Sequence, residues 1–255
     1  NRLENVAQFS HQNRTTDFAL TQGTMYTAGG FYYQGGADMD LVSQMSTFVV
    51  WGHNPIVSWP NAWHYIADAI ENNDCKLIVV DPNKNTIGQK ADLFVSLQPG
   101  TDAALALGLA KIIEEEGKTD DAFMQQKSCA PFLVKESDGR FLRKSDLEEG
   151  VAADADDFAV WDEATNAMGY ASTAQNPVLR KKGIEVAGQR CNTAYSLLID
   201  RISEYPIEMV SEVTTVPEET IRTFADLLCR PGMADIFQGY GIDHYGHGFN
   251  TIAAV

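Results

Sequence analysis

Four short clusters carry the residue types that hold a nucleotide: Gly52-His53-Asn54-Pro55, Asp81-Pro82-Asn83-Lys84, Pro99-Gly100-Thr101-Asp102 and Gly239-Tyr240-Gly241. Glycines let backbone N–H groups approach a pyrophosphate, and a helix N-terminus favours its negative charge. A carboxylate accepts paired hydrogen bonds from ribose hydroxyls or from the N1–H and N2–H2 edge of guanine. The same residues are ordinary turn formers, so turn chemistry explains each cluster taken singly. Asp102 alone reads as a first-turn acid and Gly239-Tyr240-Gly241 as a strand-end kink. Neither GxGxxG nor GxxxxGK[ST] is present. His53 is placed to line the cleft, whereas His64 reads as structural. His244 and His247 have a spacing that suits a metal on a helix, but in a Gly-rich loop they read first as surface or hydrogen-bonding groups.

The elements that must position these clusters alternate. Phe48 to Trp51 is a continuous apolar run ending at Gly52, the mark of a strand buried on both faces. After Pro60, the residues Trp63, Ile66, Ala67 and Ile70 form a helical stripe. Lys76 to Val80 is a second buried strand that runs into Asp81-Pro82, which completes a β-α-β unit with parallel strands. A third strand is expected over Leu93 to Leu97, followed by a helix from Ala103 to Ile113 with Thr101 as its N-cap. Between about Ser128 and Lys182 the periodicity weakens. Asp138-Gly139 signals a hairpin there, and Lys135 to Glu163 holds ten acidic against four basic residues. This stretch, 128–182, is expected to be an irregular insertion in a single α/β core spanning 1–255. Periodicity returns from Ala194 to Ile199. A helix from Pro217 carries Ile221, Phe224, Ala225 and Leu228 on one face, Ala234 to Gln238 reads as a strand, and a helix is expected from Gly248. The fold class is α/β and Rossmann-like: a mainly parallel sheet, helices on both faces and a hairpin insertion.

Composition narrows the function classes. The 255 residues carry 19 Lys plus Arg against 35 Asp plus Glu, a net charge of −16, which argues against gripping a nucleic-acid backbone or an anionic membrane. No apolar run reaches the roughly 18 residues of a membrane span. Cys75, Cys129, Cys191 and Cys229 form no CxxC pair, so no self-contained zinc or iron–sulfur site is expected, and most read as small buried hydrophobes. The start, Asn1 to Asn5, has neither an initiating Met nor the apolar core of a signal peptide, so the chain is expected to belong to something longer.

Order gives the clusters their specificity. Val49-Val50-Trp51-Gly52-His53-Asn54-Pro55, Leu77-Ile78-Val79-Val80-Asp81-Pro82, Ala91-Asp92-Leu93 and Pro99-Gly100-Thr101-Asp102-Ala103-Ala104-Leu105 succeed one another within one short stretch. In that order they resemble the molybdopterin-guanine-dinucleotide enzymes of the dimethyl sulfoxide reductase family. Gly239 to Gly248 is similar to the family's glycine-rich segment near the pterin, and Ala130 to Arg143 to an insertion of its respiratory-type members.

The resemblance implies a bis-molybdopterin guanine dinucleotide with molybdenum or tungsten, a small-molecule substrate and two-electron redox or oxygen-atom transfer in anaerobic respiration. Gly52 and Asn54, with His53 and Pro55, would meet the phosphate or ribose region. Asp81 and Pro82 would flank the ribose or guanine, Gly100 and Thr101 would shape a loop, and Asp102 would pair with a guanine edge. Lys84 stands where many members have Arg, which keeps the charge without the planar fork. Gly241, Asp243 and His244 would face the pterin or substrate. The family's amino-terminal cysteine motif is absent, so a [4Fe–4S] cluster is expected in the full-length protein but not on this chain, along with an iron–sulfur partner subunit. The window Asp17 to Thr27, where a metal ligand is expected, holds no Cys; Asp17, Thr21, Thr24 and Tyr26 are its oxygen candidates. Export through a twin-arginine signal to an extracytoplasmic location is implied, and the isolated chain is expected to be inactive. Two other readings stand beside this one: a nucleotide module like the middle domain of thiamine-diphosphate enzymes, and a binding domain without catalysis.

Overall fold

The computed structural model describes residues 39–255, and the oxygen candidates Asp17, Thr21, Thr24 and Tyr26 lie outside them. The strands are β1 (Thr47–Trp51), β2 (Lys76–Val80), β3 (Leu93–Val95), β4 (Leu133–Lys135), β5 (Ala159–Asp162), β6 (Ala167–Tyr170), β7 (Ile184–Val186), β8 (Gln189–Thr193) and β9 (Ala234–Gln238). The principal helices are α1 (Pro60–Asn72), α2 (Asp102–Glu115), α3 (Asp121–Lys127), α4 (Ala194–Ser203), α5 (Ile207–Thr214), α6 (Glu218–Leu228) and α7 (Gly248–Ala254). They fall into two compact units: residues up to Ile112 together with Pro206–Val255, and Ile113–Tyr205.

The first unit is a parallel sheet in the order β3-β2-β1-β9. All of β1 and the last four residues of β2 are buried, as their unbroken apolar runs require. Phe48, Val50, Leu77 and Val79 face α1, whose buried stripe is Ala62, Ile66 and Ala69 with Trp63 and Ile70 half-buried beside it. Of the expected stripe, Ile66 is buried and Trp63, Ala67 and Ile70 are half-buried. On the opposite face Trp51 packs on Phe224 of α6, ring centroids 5.8 Å apart, and the Thr47 hydroxyl donates to the Leu227 carbonyl at 2.7 Å. Helices therefore cover both faces. Each fully buried aliphatic side chain in these layers contributes roughly 1.5–3 kcal/mol, enough to hold glycine-rich loops at the sheet edge.

The third strand is shorter than its apolar run. Asp81 N–H donates to the Val95 carbonyl at 3.1 Å, and Pro82, with no N–H, cannot extend the ladder. The Gln98 N–H turns instead to the Thr214 carbonyl at 2.8 Å.

The second unit contains two small antiparallel sheets, β4-β8-β7 and β5-β6. The Asp138-Gly139 turn forms, with Gly139 at φ 69°, but its returning arm makes a single bridge, Val134 to Phe141, and β4 pairs with β8. The β7–β8 hairpin turns through Ala187 and Gly188, both in the left-handed region at φ 49° and 76°. The expected insertion 128–182 lies inside this unit. Of the cysteines, Cys75 and Cys191 are buried, Cys229 is half-buried and Cys129 is exposed. Burial pushes the Cys75 thiol up to about 11. Among the described residues no helix is long and apolar enough to cross a membrane.

Candidate nucleotide site at the sheet edge

Because the four strands run parallel, their carboxyl ends share one edge, which places the loops after β1, β2, β3 and β9 side by side. The chain proceeds outward from β1 through β2 to β3, whereas β9 adds to the other side of β1. Strand order reverses between β1 and β9, the position at which open α/β sheets bind ligands.

At that switch point two loops meet through glycine. Gly52, in the left-handed region at φ 60°, donates its N–H to the Val80 carbonyl at 2.9 Å and accepts at its own carbonyl from Gly241 at 3.0 Å. Gly239 N–H donates to the Trp51 carbonyl at 2.8 Å. A Cβ on Gly241 would stand 2.6 Å from the Gly52 oxygen, and one on Gly239 2.5 Å from the same atom. Only residues without side chains permit this approach. Beside it, Asn54 Oδ1 is buried without a hydrogen-bond partner among the described residues. The Asn54 carbonyl accepts from Val57 and Ser58 in the one-turn helix Pro55–Ser58, in which Pro55 is buried at the first turn. The His53 ring sits edge-on to Phe237, 4.7 Å between centroids, with Nε2 3.3 Å from the Ser58 hydroxyl. Burial lowers its pKa, so the ring is neutral at pH 7.

The loop after β3 reaches the same region. Gly100 adopts φ 83°, and a Cβ there would stand 3.5 Å from the Tyr245 ring. The Thr101 hydroxyl donates to the Gln98 carbonyl at 2.6 Å, within the turn that Pro99 and Gly100 make, while the Thr101 carbonyl accepts from Ala104 and Leu105 to start α2. Asp102 is 3% exposed, and Trp51 Nε1–H donates to its Oδ1 at 2.7 Å. Burial raises the Asp102 pKa; the Trp51 N–H and the backbone N–H groups of Asp102 and Gly100 oppose that rise.

The β2 end is different in kind. Asp81 accepts from Asn83 N–H at 2.8 Å and from Asn85 Nδ2 at 3.4 Å, an Asx turn in which the carboxylate remains half-exposed. Pro82 and Lys84 are exposed, and the Lys84 ammonium lies 5.5 Å above the Phe94 ring of β3, on the side away from β9. Beyond β9, Asp243 is buried with Oδ1 3.2 Å from His244 Nε2, and the His244 ring stacks on Tyr240. His247 is exposed, and among the described residues no three His, Cys, Asp or Glu side chains converge as a metal site.

The structure thus gathers the Gly52-to-Pro55 loop, the Gly100-to-Asp102 loop and the Gly239-to-His244 segment, and leaves Lys84 to one side. Three further residues shape the site: Trp51 through its N–H, Tyr245 against Gly100, and Ile242, whose methyl group would meet a Cβ on Gly52 at 2.7 Å. Trp51 abuts the Gly-His-Asn-Pro cluster, and Ile242 and Tyr245 lie within the Gly239-to-Gly248 segment, but none of the three has a residue type that announces its contact.

The chain is similar to known proteins over most of its length. The family model for molybdopterin oxidoreductases matches residues 4–253. Dimethylsulfide dehydrogenase subunit alpha of Rhodovulum sulfidophilum is 27% identical, with 78% of this chain and 23% of that protein covered. Respiratory nitrate reductase subunit alpha of Haloferax mediterranei is 29% identical, with 78% and 22% covered. Acetylene hydratase from Pelobacter acetylenicus shares the fold at a TM-score of 0.58 and 18% identity, covering 94% of this chain and 24% of that one. The chain spans about a quarter of the length of the curated relatives it matches. With its glycine-lined switch point and a family match over almost its whole length, the chain belongs to the molybdopterin oxidoreductase family, among enzymes of the dimethyl sulfoxide reductase type.

Proposed function

We propose that this chain binds the guanine dinucleotide part of a bis-molybdopterin guanine dinucleotide within a larger oxidoreductase subunit. Family membership implies a molybdenum–pterin cofactor. The observation that carries the finer reading is the switch point, where Gly52, Gly239 and Gly241 bring two loop backbones together beside Asn54 Oδ1, which has no partner among the described residues. A buried acceptor of this kind costs about 1–3 kcal/mol unless something donates to it, and a ribose hydroxyl does so. The residues present therefore fit the group.

In this reading Gly52 and Asn54 hold the phosphate or ribose, with His53 and Pro55 fixing the loop that presents them. Asp81 and Pro82 flank the ribose or guanine through the half-exposed Asp81 carboxylate. Gly100 and Thr101 shape the loop from which Asp102 reads the guanine edge. Gly241, Asp243 and His244 face the pterin or substrate, with the buried Asp243 carboxylate 3.2 Å from His244 Nε2. Lys84 contributes charge at the rim. When bound, the pterin-held molybdenum or tungsten supplies two-electron redox chemistry, which the protein positions and tunes. For the whole protein we further propose oxygen-atom transfer or a related reaction on a small substrate in anaerobic respiration, an extracytoplasmic location, a [4Fe–4S] cluster and an iron–sulfur electron-transfer partner. The names of the alpha-subunit relatives, a dehydrogenase and a respiratory reductase, support the redox reaction, the respiratory role and a partner subunit.

The test is calorimetry with GDP and ADP on cofactor-free full-length protein. GDP is expected to bind more tightly than ADP. Asp102→Ala should weaken GDP by about tenfold or more, the value of a charge-assisted hydrogen bond. Asp74→Ala, at an exposed carboxylate paired with Lys76 and Arg230, should change it by less than about twofold. Equal affinity for the two nucleotides would leave only a generic nucleotide site, and equal effects of the two substitutions would remove Asp102 from the guanine contact.

A further inference from the structure

Among the described residues the Asp102 carboxylate is a buried acid without a cation. Burial raises its pKa, the Trp51 indole N–H and the backbone N–H groups of Asp102 and Gly100 lower it, and no described Lys, Arg or His acts on it. An ionised carboxylate offers about four acceptor positions. Trp51 occupies one on Oδ1 at 2.7 Å, from the last residue of β1, whereas Asp102 opens α2. That single bond joins the root of the Gly52-to-Pro55 loop to the root of the Gly100-to-Asp102 loop. Trp51 is itself fixed: it is 1% exposed and lies against Phe224.

We propose that Trp51 is a positioning residue for base recognition, its indole N–H fixing the Asp102 carboxylate so that the remaining acceptor position meets an N–H donor of guanine and rejects the N1 acceptor of adenine. This rests on the reading of Asp102 as the guanine contact. A neutral donor suits the task. A Lys or Arg would neutralise the carboxylate and compete with the base for it, while Trp has one N–H and nothing that titrates. Because burial already favours the protonated acid, losing the Trp51 donor raises the Asp102 pKa further, and base binding, which needs the anion, fades from a higher pH downward.

The experiment compares wild type, Trp51→Phe, Asp102→Asn and the double variant as cofactor-free full-length proteins, titrated with GDP and ADP between about pH 5 and 8. Trp51→Phe keeps a ring against Phe224 and removes the donor together with part of the buried indole. It should lower GDP affinity by about tenfold, bring the GDP-to-ADP ratio towards one, and move the acid-side loss of GDP binding upward in pH. In the Asp102→Asn background the same change should add less than about twofold, because Trp51 acts through the carboxylate. A wild type without GDP preference defeats the guanine reading itself. A wild type that prefers GDP, with Trp51→Phe retaining both preference and pH profile, defeats the role of Trp51 alone. Should Trp51→Phe fail to fold, replacing Trp51 by benzothienylalanine decides: it keeps the bicyclic ring against Phe224 and lacks the N–H donor, so loss of GDP preference there supports the proposal and full retention overturns it.

Discussion

At the scale of single residues, the switch point depends on atoms that are missing. Gly241 has no positive φ to justify it; what excludes a side chain is the Gly52 oxygen, 2.6 Å from where a Cβ would lie. Gly241→Ala should therefore push the two loops apart and cost about 1–3 kcal/mol in urea unfolding, the usual penalty of overpacking. Gly246→Ala, where a Cβ meets nothing within 4 Å, should stay within about 0.5 kcal/mol. Coincident unfolding midpoints for the two would mean that the loop contact carries no load. The nucleotide-holding residue types were legible in the sequence because turn glycines, Asn-Pro and Thr-Asp are local signals. The Trp51–Asp102 bond was not, since it spans 51 positions and a strand tryptophan reads only as core.

At the scale of elements, β1, β2 and α1 were legible because continuous apolar runs and a helical stripe are self-contained statements of burial. The strand pairings of the second unit were not. β4 and β8 are joined across more than fifty residues, and the β7–β8 turn uses Ala187 where Asn or Gly would have announced φ above zero. Its stability rests partly on a fork. Arg180 donates from Nε and Nη2 to Glu114 and from Nη1 to Asp121, with the guanidinium 5.0 Å over Tyr195. Arg180 holds both carboxylates below their ordinary pKa. A depressed carboxylate stabilises the fold above its unfolded pKa, near 4, and that contribution is lost as pH falls through the folded value. Arg180→Met should thus cost about 1 kcal/mol at pH 7, the upper range for an exposed network, and progressively less as pH falls below about 4. A penalty that stays constant across that range would rule out the ion pairs as its source.

At the scale of the whole molecule, the net charge of −16 is compatible with a nucleotide ligand, because loop amides, a partnerless Asn oxygen and carboxylates require no basic surface. The pairing of β1 with β9 has a further consequence, for biosynthesis. Thr47 and Ala234 stand opposite each other in the sheet although 187 positions separate them, and the second unit is translated in between. A ribosome that has released β1, β2 and β3 has made most of the proposed binding residues but no mouth, and the apolar edge of Phe48 to Trp51 has no neighbour on that side. Contacts of such separation close late. A chain ended at Tyr205 should accordingly aggregate or remain chaperone-bound and fail to retain GDP, as judged by light scattering and nucleotide filtration; a soluble, GDP-binding product would show that β9 is dispensable. On this order of synthesis the proposed nucleotide site closes only once β9 has followed the second unit and paired with β1.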